Sequence, residues 1–179
     1  NLSNAGTSSG LRNVTGFTGG ELTCIDCEFS GTPGATSNGI LIGNTSSLHT
    51  FNCYFHNLNF GINLGVATDE SLDVLFCIFA QITTNGISAT NNNGNRVINC
   101  TFTDIAGNGV IFGDINSIFL NNNFSNCVNA GINSPAAIVM NNNFFGNGTN
   151  WIVGTLDPVD NTTFIAPQFV TPGSNYALQ

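Results

Sequence analysis

The chain has 179 residues, 41% of them hydrophobic and fifteen of them Phe, with only 7% charged and a net charge of −8. That apolar content excludes a disordered chain. Ten carboxylates stand against two cations, Arg12 and Arg96, with no Lys; such a surface repels phosphate backbones and excludes nucleic acid as a partner.

No apolar run approaches the ~20 residues of a bilayer span, so no membrane insertion is expected. Helix formers are scarce beside Gly, Asn, Thr and Ser, which argues against a helical fold. The chain opens at Asn1 without Met, which reads as a processed protein or a fragment.

In chain order, the first element is faint: "SGL", ending at Leu11. From residue 23 a phrase recurs as "TCIDCEF", "TFNCYF", "VLFCIF", "VINCTF", "LNNNF" and "MNNNF". Its central column is Cys27, Cys53, Cys77, Cys100, Asn122 and Asn142. Two residues later stand Phe29, Phe55, Phe79, Phe102, Phe124 and Phe144; two residues earlier stand Ile25, Phe51, Leu75, Ile98, Leu120 and Met140. Between copies a second landmark, usually Asn-Gly and a β-branched residue, ends at Ile40, Ile62, Ile87, Val110 and Ile132, with a degenerate copy at Ile152. The steps between central positions are 26, 24, 23, 22 and 20 residues.

A period in the low twenties with short strands and Gly/Asn corners predicts a coiled β-solenoid with one repeat per rung. Strand alternation then turns the central residue and both neighbours two away inward, for example Ile98, Cys100 and Phe102. Rungs ~4.8 Å apart would stack the Phe column and turn the Cys/Asn column into a ladder, each Asn amide bonding to the rungs above and below. The corner Asn and Gly are expected to supply left-handed backbone conformations.

On these phrases the chain resembles right-handed parallel β-helix proteins of the pectin-lyase-like superfold, over roughly residues 9 to 155. The resemblance implies an all-β right-handed parallel β-helix of about six to seven rungs, 20–29 residues each. Residues 1–155 would form the rungs. Residues 156–179, beginning "DPVDNTTF", resemble the extended closing segment of secreted bacterial β-helix proteins. Phe164, Phe169, Tyr176 and Leu178 would pack on the last rungs there, and Pro158, Pro167 and Pro172 suit a strand outside any ladder. The usual continuation after such a segment is missing, which reads as a C-terminal truncation. The superfold carries lyases, hydrolases, adhesins and phage tailspikes alike, so it leaves function open.

The residues themselves offer several candidates. Five Cys, Cys27, Cys53, Cys77, Cys100 and Cys127, fall on inward positions and read as small buried hydrophobes; a disulfide between adjacent rungs is the alternative. The Cys24–Cys27 spacing suits a metal pair, but residues three apart on a strand face opposite ways. His49 and His56 flank Cys53 at outward or turn positions, unsuited to activating it. Asp26 and Glu28 form the closest acid pair within a rung, on one outward face, and read as solvated surface groups. The motif sets of polygalacturonase-like hydrolases are absent, and Arg96 is the sole candidate for a lyase base in the coil. Asp69, Glu70 and Asp73 could hold a calcium ion, the one cofactor considered. Asn99, Asn121, Asn123, Asn141 and Asn143 would form a flat outward face able to bind carbohydrate.

These readings favour a non-enzymatic extracellular element: a surface adhesin, filament subunit or viral spike. It would sit outside the cell or on a cell or virion surface, self-associating end to end or side by side, or holding a glycan. The contrasting readings are a fragment of a polysaccharide lyase or glycoside hydrolase, and a carbohydrate-binding module.

Overall fold

A computed structural model describes the backbone of residues 2–4, 9–13, 20–32, 37–42, 46–65, 71–90, 94–113, 116–160, 163–167, 169–171 and 175–178. Side chains are described from 20 to 152 within those ranges, Ser46 apart, and from 163 to 167. The strands are β1 (Leu2–Asn4), β2 (Ser9–Asn13), β3 (Gly20–Ile25), β4 (Glu28–Gly31), β5 (Asn38–Ile42), β6 (Ser46–Phe51) and β7 (Tyr54–His56). Then come β8 (Phe60–Leu64), β9 (Leu72–Leu75), β10 (Ile78–Ile82), β11 (Asn85–Ala89), β12 (Arg96–Ile98), β13 (Thr101–Ile105) and β14 (Val110–Phe112). The last are β15 (Ser117–Leu120), β16 (Asn123–Cys127), β17 (Ala130–Met140), β18 (Asn143–Phe145), β19 (Thr149–Asp160), β20 (Phe169–Thr171) and β21 (Asn175–Leu178).

Each turn of chain contributes three strands, one to each side of a parallel solenoid. The first side is the seven-stranded sheet β1-β4-β7-β10-β13-β16-β18. The second runs β2-β5-β8-β11-β14-β17 and the third β3-β6-β9-β12-β15-β17, joined into one twelve-stranded sheet because β17 serves both. β19 pairs along β17 and runs unbroken through the boundary expected at 155. β20 and β21 pair antiparallel, and β21 lies against β10 and β13.

The expected Phe column is present in register. Phe29, Phe55, Phe79, Phe102, Phe124 and Phe144 are all at most 1% exposed, with successive centroids 4.6–5.2 Å apart and interplanar angles of 2–9°. Isolated aromatic pairs prefer offset or edge-on geometry; here the spacing of hydrogen-bonded rungs imposes a nearly face-to-face pile. Beneath each ring from Phe55 onward lies a glycine of the preceding rung. A Cβ on Gly86 would stand 2.9 Å from a Phe102 ring carbon and 2.5 Å from the Gly109 carbonyl oxygen. The glycines of the Asn-Gly landmark therefore serve close approach rather than the left-handed conformation expected of them, and Gly86 and Gly109 carry no positive φ.

The left-handed residues lie elsewhere. Asp26, Asn52, Phe76, Asn99, Asn121 and Asn141, each just before the central position, have φ of 51–56°. A second such column follows four residues after the centre at Asn57, Gln81, Asp104 and Asn126. These corners correct one expectation from strict alternation. A left-handed residue turns the chain through the corner and shifts the inward/outward parity by one. The inward residues before each corner are consequently Cys24, Thr50, Val74, Val97, Phe119 and Val139, all at most 5% exposed. The column read as inward, Ile25, Phe51, Leu75, Ile98, Leu120 and Met140, faces outward, with Ile25 57% and Phe51 43% exposed.

This parity is directly measurable. Phe119→Ala should cost about 3–5 kcal/mol in urea unfolding, as for a fully buried Phe, whereas Leu120→Ala should cost less than about 1 kcal/mol. Equal costs would contradict the inward assignment.

Candidate functional site

The corner that rotates the chain also opens the backbone ladder. The amide before each central residue bonds to the next rung, as Asn99 N–H does to the Leu120 carbonyl at 3.0 Å. The amide after it bonds to the previous rung, as Thr101 N–H does to the Cys77 carbonyl at 2.9 Å. The central amide itself lacks a carbonyl partner, and the side chain of the next rung supplies one. Cys53 N–H donates to Cys77 Sγ and Cys77 N–H to Cys100 Sγ, both at 3.4 Å. Cys100 N–H donates to Asn122 Oδ1 at 2.9 Å, and Asn122 N–H to Asn142 Oδ1 at 2.8 Å. On their donor side the same groups reach back one rung: Cys100 Sγ to the Val74 carbonyl, Asn122 Nδ2 to Val97 and Asn142 Nδ2 to Phe119. Thiol and amide thus occupy one structural role. Cys127 belongs to a parallel column, its amide donating to Asn147 Oδ1 at 2.8 Å.

All six cysteines are free thiols. Burial, with smaller contributions from Cys27 and Cys53, pushes the Cys24 thiol up to about 11. The hydrogen bond with Cys100 leads the causes that push Cys77 up to about 12. Cys53 is raised chiefly by its contact with Cys77, and Cys127 chiefly by burial. Such thiols stay protonated at neutral pH and are poor nucleophiles and poor metal ligands.

The outward groups pair between rungs. Asp26 accepts from Asn52 Nδ2 at 2.7 Å and Asp104 from Asn126 Nδ2 at 3.0 Å. Glu28 Oε1 takes His56 Nε2 at 2.9 Å, and the His56 ring stacks on Tyr54 with centroids 4.3 Å apart. Asp26 and Glu28 do not share a face: Asp26 occupies the left-handed corner and Glu28 opens the following strand.

The third side carries a cluster that alternation had hidden. His49, Asp73 and Arg96 are register partners on β6, β9 and β12. Arg96 donates Nε to Asp73 Oδ1 at 2.6 Å and one Nη to Oδ2 at 2.5 Å, a bidentate fork. His49 Nδ1 stands 3.0 Å from Asp73 Oδ2, and its Nε2 lies 3.7 Å from Glu21. Burial alone would raise the Asp73 carboxyl, but the Arg96 fork and its charge, with His49, hold it below the usual carboxylate range. Asp73 is expected, with Asp69 and Glu70, to hold a calcium ion. Its carboxylate is instead engaged by Arg96 and His49, and Asp69 and Glu70 lie outside the described residues. No group of three or more His, Cys, Asp or Glu among the described residues is arranged to hold a metal ion.

Beside this cluster on the same side runs the outward apolar column from Ile25 to Met140. Phe51 meets Phe76 edge to face, with centroids 5.3 Å apart and 62° between ring planes, and Phe76 is 50% exposed. The only sequence signal for this cluster is that His49, Asp73 and Arg96 each precede a central Cys by four residues.

The five Asn expected to make one flat face straddle a corner. Asn99, Asn121 and Asn141 are exposed at left-handed positions. Asn123 is 5% exposed and accepts from Asn143 Nδ2 at 2.7 Å. Asn143 in turn holds the closing segment: its Oδ1 accepts from Thr163 Oγ1 and Ile165 N–H, and its Nδ2 donates to the Ile165 carbonyl. At that end Trp151 meets Phe144 edge-on, 63° between planes, and Phe164 lies 6.4 Å beyond it. The side chains of Phe169, Tyr176 and Leu178 lie outside the described residues.

A family model described as a right-handed β-helix region matches residues 12–165. Comparison with curated proteins and with solved structures finds no match.

Two outcomes follow from this geometry. Iodoacetamide at pH 8 should modify the half-buried Cys27 in the native protein and spare Cys24, Cys53, Cys77, Cys100 and Cys127 until it is unfolded, as read by peptide mapping; native labelling of Cys77 would contradict the ladder. The Asp73 carboxyl, depressed in the folded state, stabilises above its unfolded pKa of about 3.9. That contribution is lost as pH falls through the folded value. The stability gap between wild type and Asp73→Asn should therefore persist down to pH 5 and close below about pH 4; a gap that widens as pH falls from 4 to 2 would refute the pairing.

Proposed function

The chain belongs to the right-handed β-helix family, and from that membership we propose that it serves as a rigid, non-enzymatic extracellular element with an adhesive role. One observation carries this reading: of the five carboxylates whose side chains are described, Asp26, Glu28, Asp73 and Asp104 hydrogen-bond a partner one rung away, and Glu21 lies 3.7 Å from His49 of the next rung. General acid–base chemistry asks for carboxyls converging on a substrate with separated pKa values. Here the acids fasten rung to rung, as the thiols and amides do inside. The result is a stiff rod whose length grows by one strand spacing per turn and whose outer sides are free to present a binding stripe.

The stripe on the third side, with its exposed aromatics, supports adhesion to a glycan or to a second surface. A surface adhesin or spike at the cell or virion exterior is the setting that suits such a rod. The net charge of −8 disfavours nucleic acid and anionic lipid as partners.

Incubation with acidic and neutral polysaccharides, followed by assay of new reducing ends and of unsaturated products, should give values equal to the blank. Sustained turnover that disappears in Glu28→Gln or Asp73→Asn would overturn the proposal in favour of a polysaccharide-active enzyme.

A further inference from the structure

The six corners preceding the central column have the same left-handed backbone, and five of them carry Asn or Asp, the residues that tolerate it. The sixth carries Phe76, at φ 56° and 50% exposed. A bulky residue is costly at such a corner: its backbone is strained and its ring is half in water. Strain retained against the interest of stability marks a position held for another purpose.

Phe76 stands among exposed apolar and polar side chains of the same side. Phe51, 43% exposed, meets it edge to face, and Ile25, 57% exposed, continues the apolar floor one rung away. Along the same strands lie His49, Asp73 and Arg96. Arg96 is 52% exposed at its side chain, yet Nε and one Nη are fixed on an Asp73 carboxylate that is only 9% exposed. Of its five N–H donors, three remain for an outside acceptor, aimed by a fork that needs no ordering on binding. Glu21, 70% exposed, and the His49 ring beside it add an acceptor and a second polar edge.

The geometry points to a binding platform for a neutral glycan, with sugar faces on Phe51 and Phe76 and hydroxyls on Arg96, His49 and Glu21. This assignment rests on the adhesive reading and names its ligand class. Charge decides against an anionic sugar: Asp73 neutralises Arg96, Glu21 stands nearby, and the chain as a whole carries −8. Size decides against a protein partner. Of the outward apolar column only Ile25 and Phe51, with Phe76 beside them, are strongly exposed, a small patch against the ~800 Å² per partner of a stable protein interface. A sugar needs a smaller footprint, and its alternation of apolar C–H faces and equatorial hydroxyls matches a ring platform bordered by fixed donors and acceptors.

Isothermal titration of the full chain with cellohexaose, xylohexaose, mannohexaose, maltohexaose and polygalacturonate tests the assignment. At least one neutral hexasaccharide should bind and polygalacturonate should not. Phe76→Asn should move two readouts in opposite directions, raising the melting temperature while weakening that binding roughly tenfold, the loss of about one ring contact. Phe51→Ala should weaken it comparably while lowering the melting temperature only slightly, and Arg96→Lys, which keeps charge but loses the fork, should weaken it as well. Phe145→Ala, 41% exposed on the first side, should change nothing. Absence of binding by every neutral hexasaccharide, preference for polygalacturonate, or unchanged affinity in Phe76→Asn would each overturn the platform and leave the scaffold proposal standing. Cleavage of a bound sugar would do the reverse.

Discussion

A single left-handed residue at each corner, just before the central position, is the constraint on which this molecule depends. It bends the chain from one side of the solenoid to the next and shifts the alternation by one residue. It also leaves one amide per rung without a backbone acceptor in the interior. An unpaired buried amide costs about 1–3 kcal/mol, and the cost would recur at every turn. The Cys/Asn column exists to meet it. From Cys100 onward each central side chain accepts from the rung before it and donates to a carbonyl of that same rung, so the column acts as a second hydrogen-bonded seam threaded through the core.

The two residue types fill that seam with different strength. At Cys77 and Cys100 the acceptor is a thiol at 3.4 Å; at Asn122 and Asn142 it is an amide oxygen at 2.8–2.9 Å. Sulfur is a weak acceptor but a good core filler, and Asn is a good acceptor that must be satisfied on both sides. The N-terminal rungs thus lean on apolar packing and the C-terminal rungs on polar closure. The Phe pile runs through both halves without interruption.

Much of this was legible in the sequence because the repeat is written in side chains that stack. The Phe column, the Cys/Asn ladder and the parallel solenoid are consequences of register, and register is a matter of counting. The outward surface was not legible. Its assignment requires the parity across each corner, and nothing in "VINCTF" announces that Asn99 is left-handed and that Val97 rather than Ile98 turns inward. With parity misjudged by one, an exposed apolar column reads as core. Arg96, Asp73 and His49 then stand as scattered charges 23 and 24 residues apart instead of neighbours on one side. The Gly of the Asn-Gly landmark misled for a related reason: glycine suggests an unusual φ, whereas here it makes room for a ring of the next rung.

The chain's one tryptophan, Trp151, stands where the aromatic pile ends, turned across Phe144 with Phe164 on its far side. In a solenoid each turn contacts only its neighbours, and opening can begin at an end. Emission excited selectively at Trp151 therefore reports one turn rather than the whole coil. Emission and far-ultraviolet circular dichroism would observe different stretches of the same molecule, and their difference would time the opening of that turn.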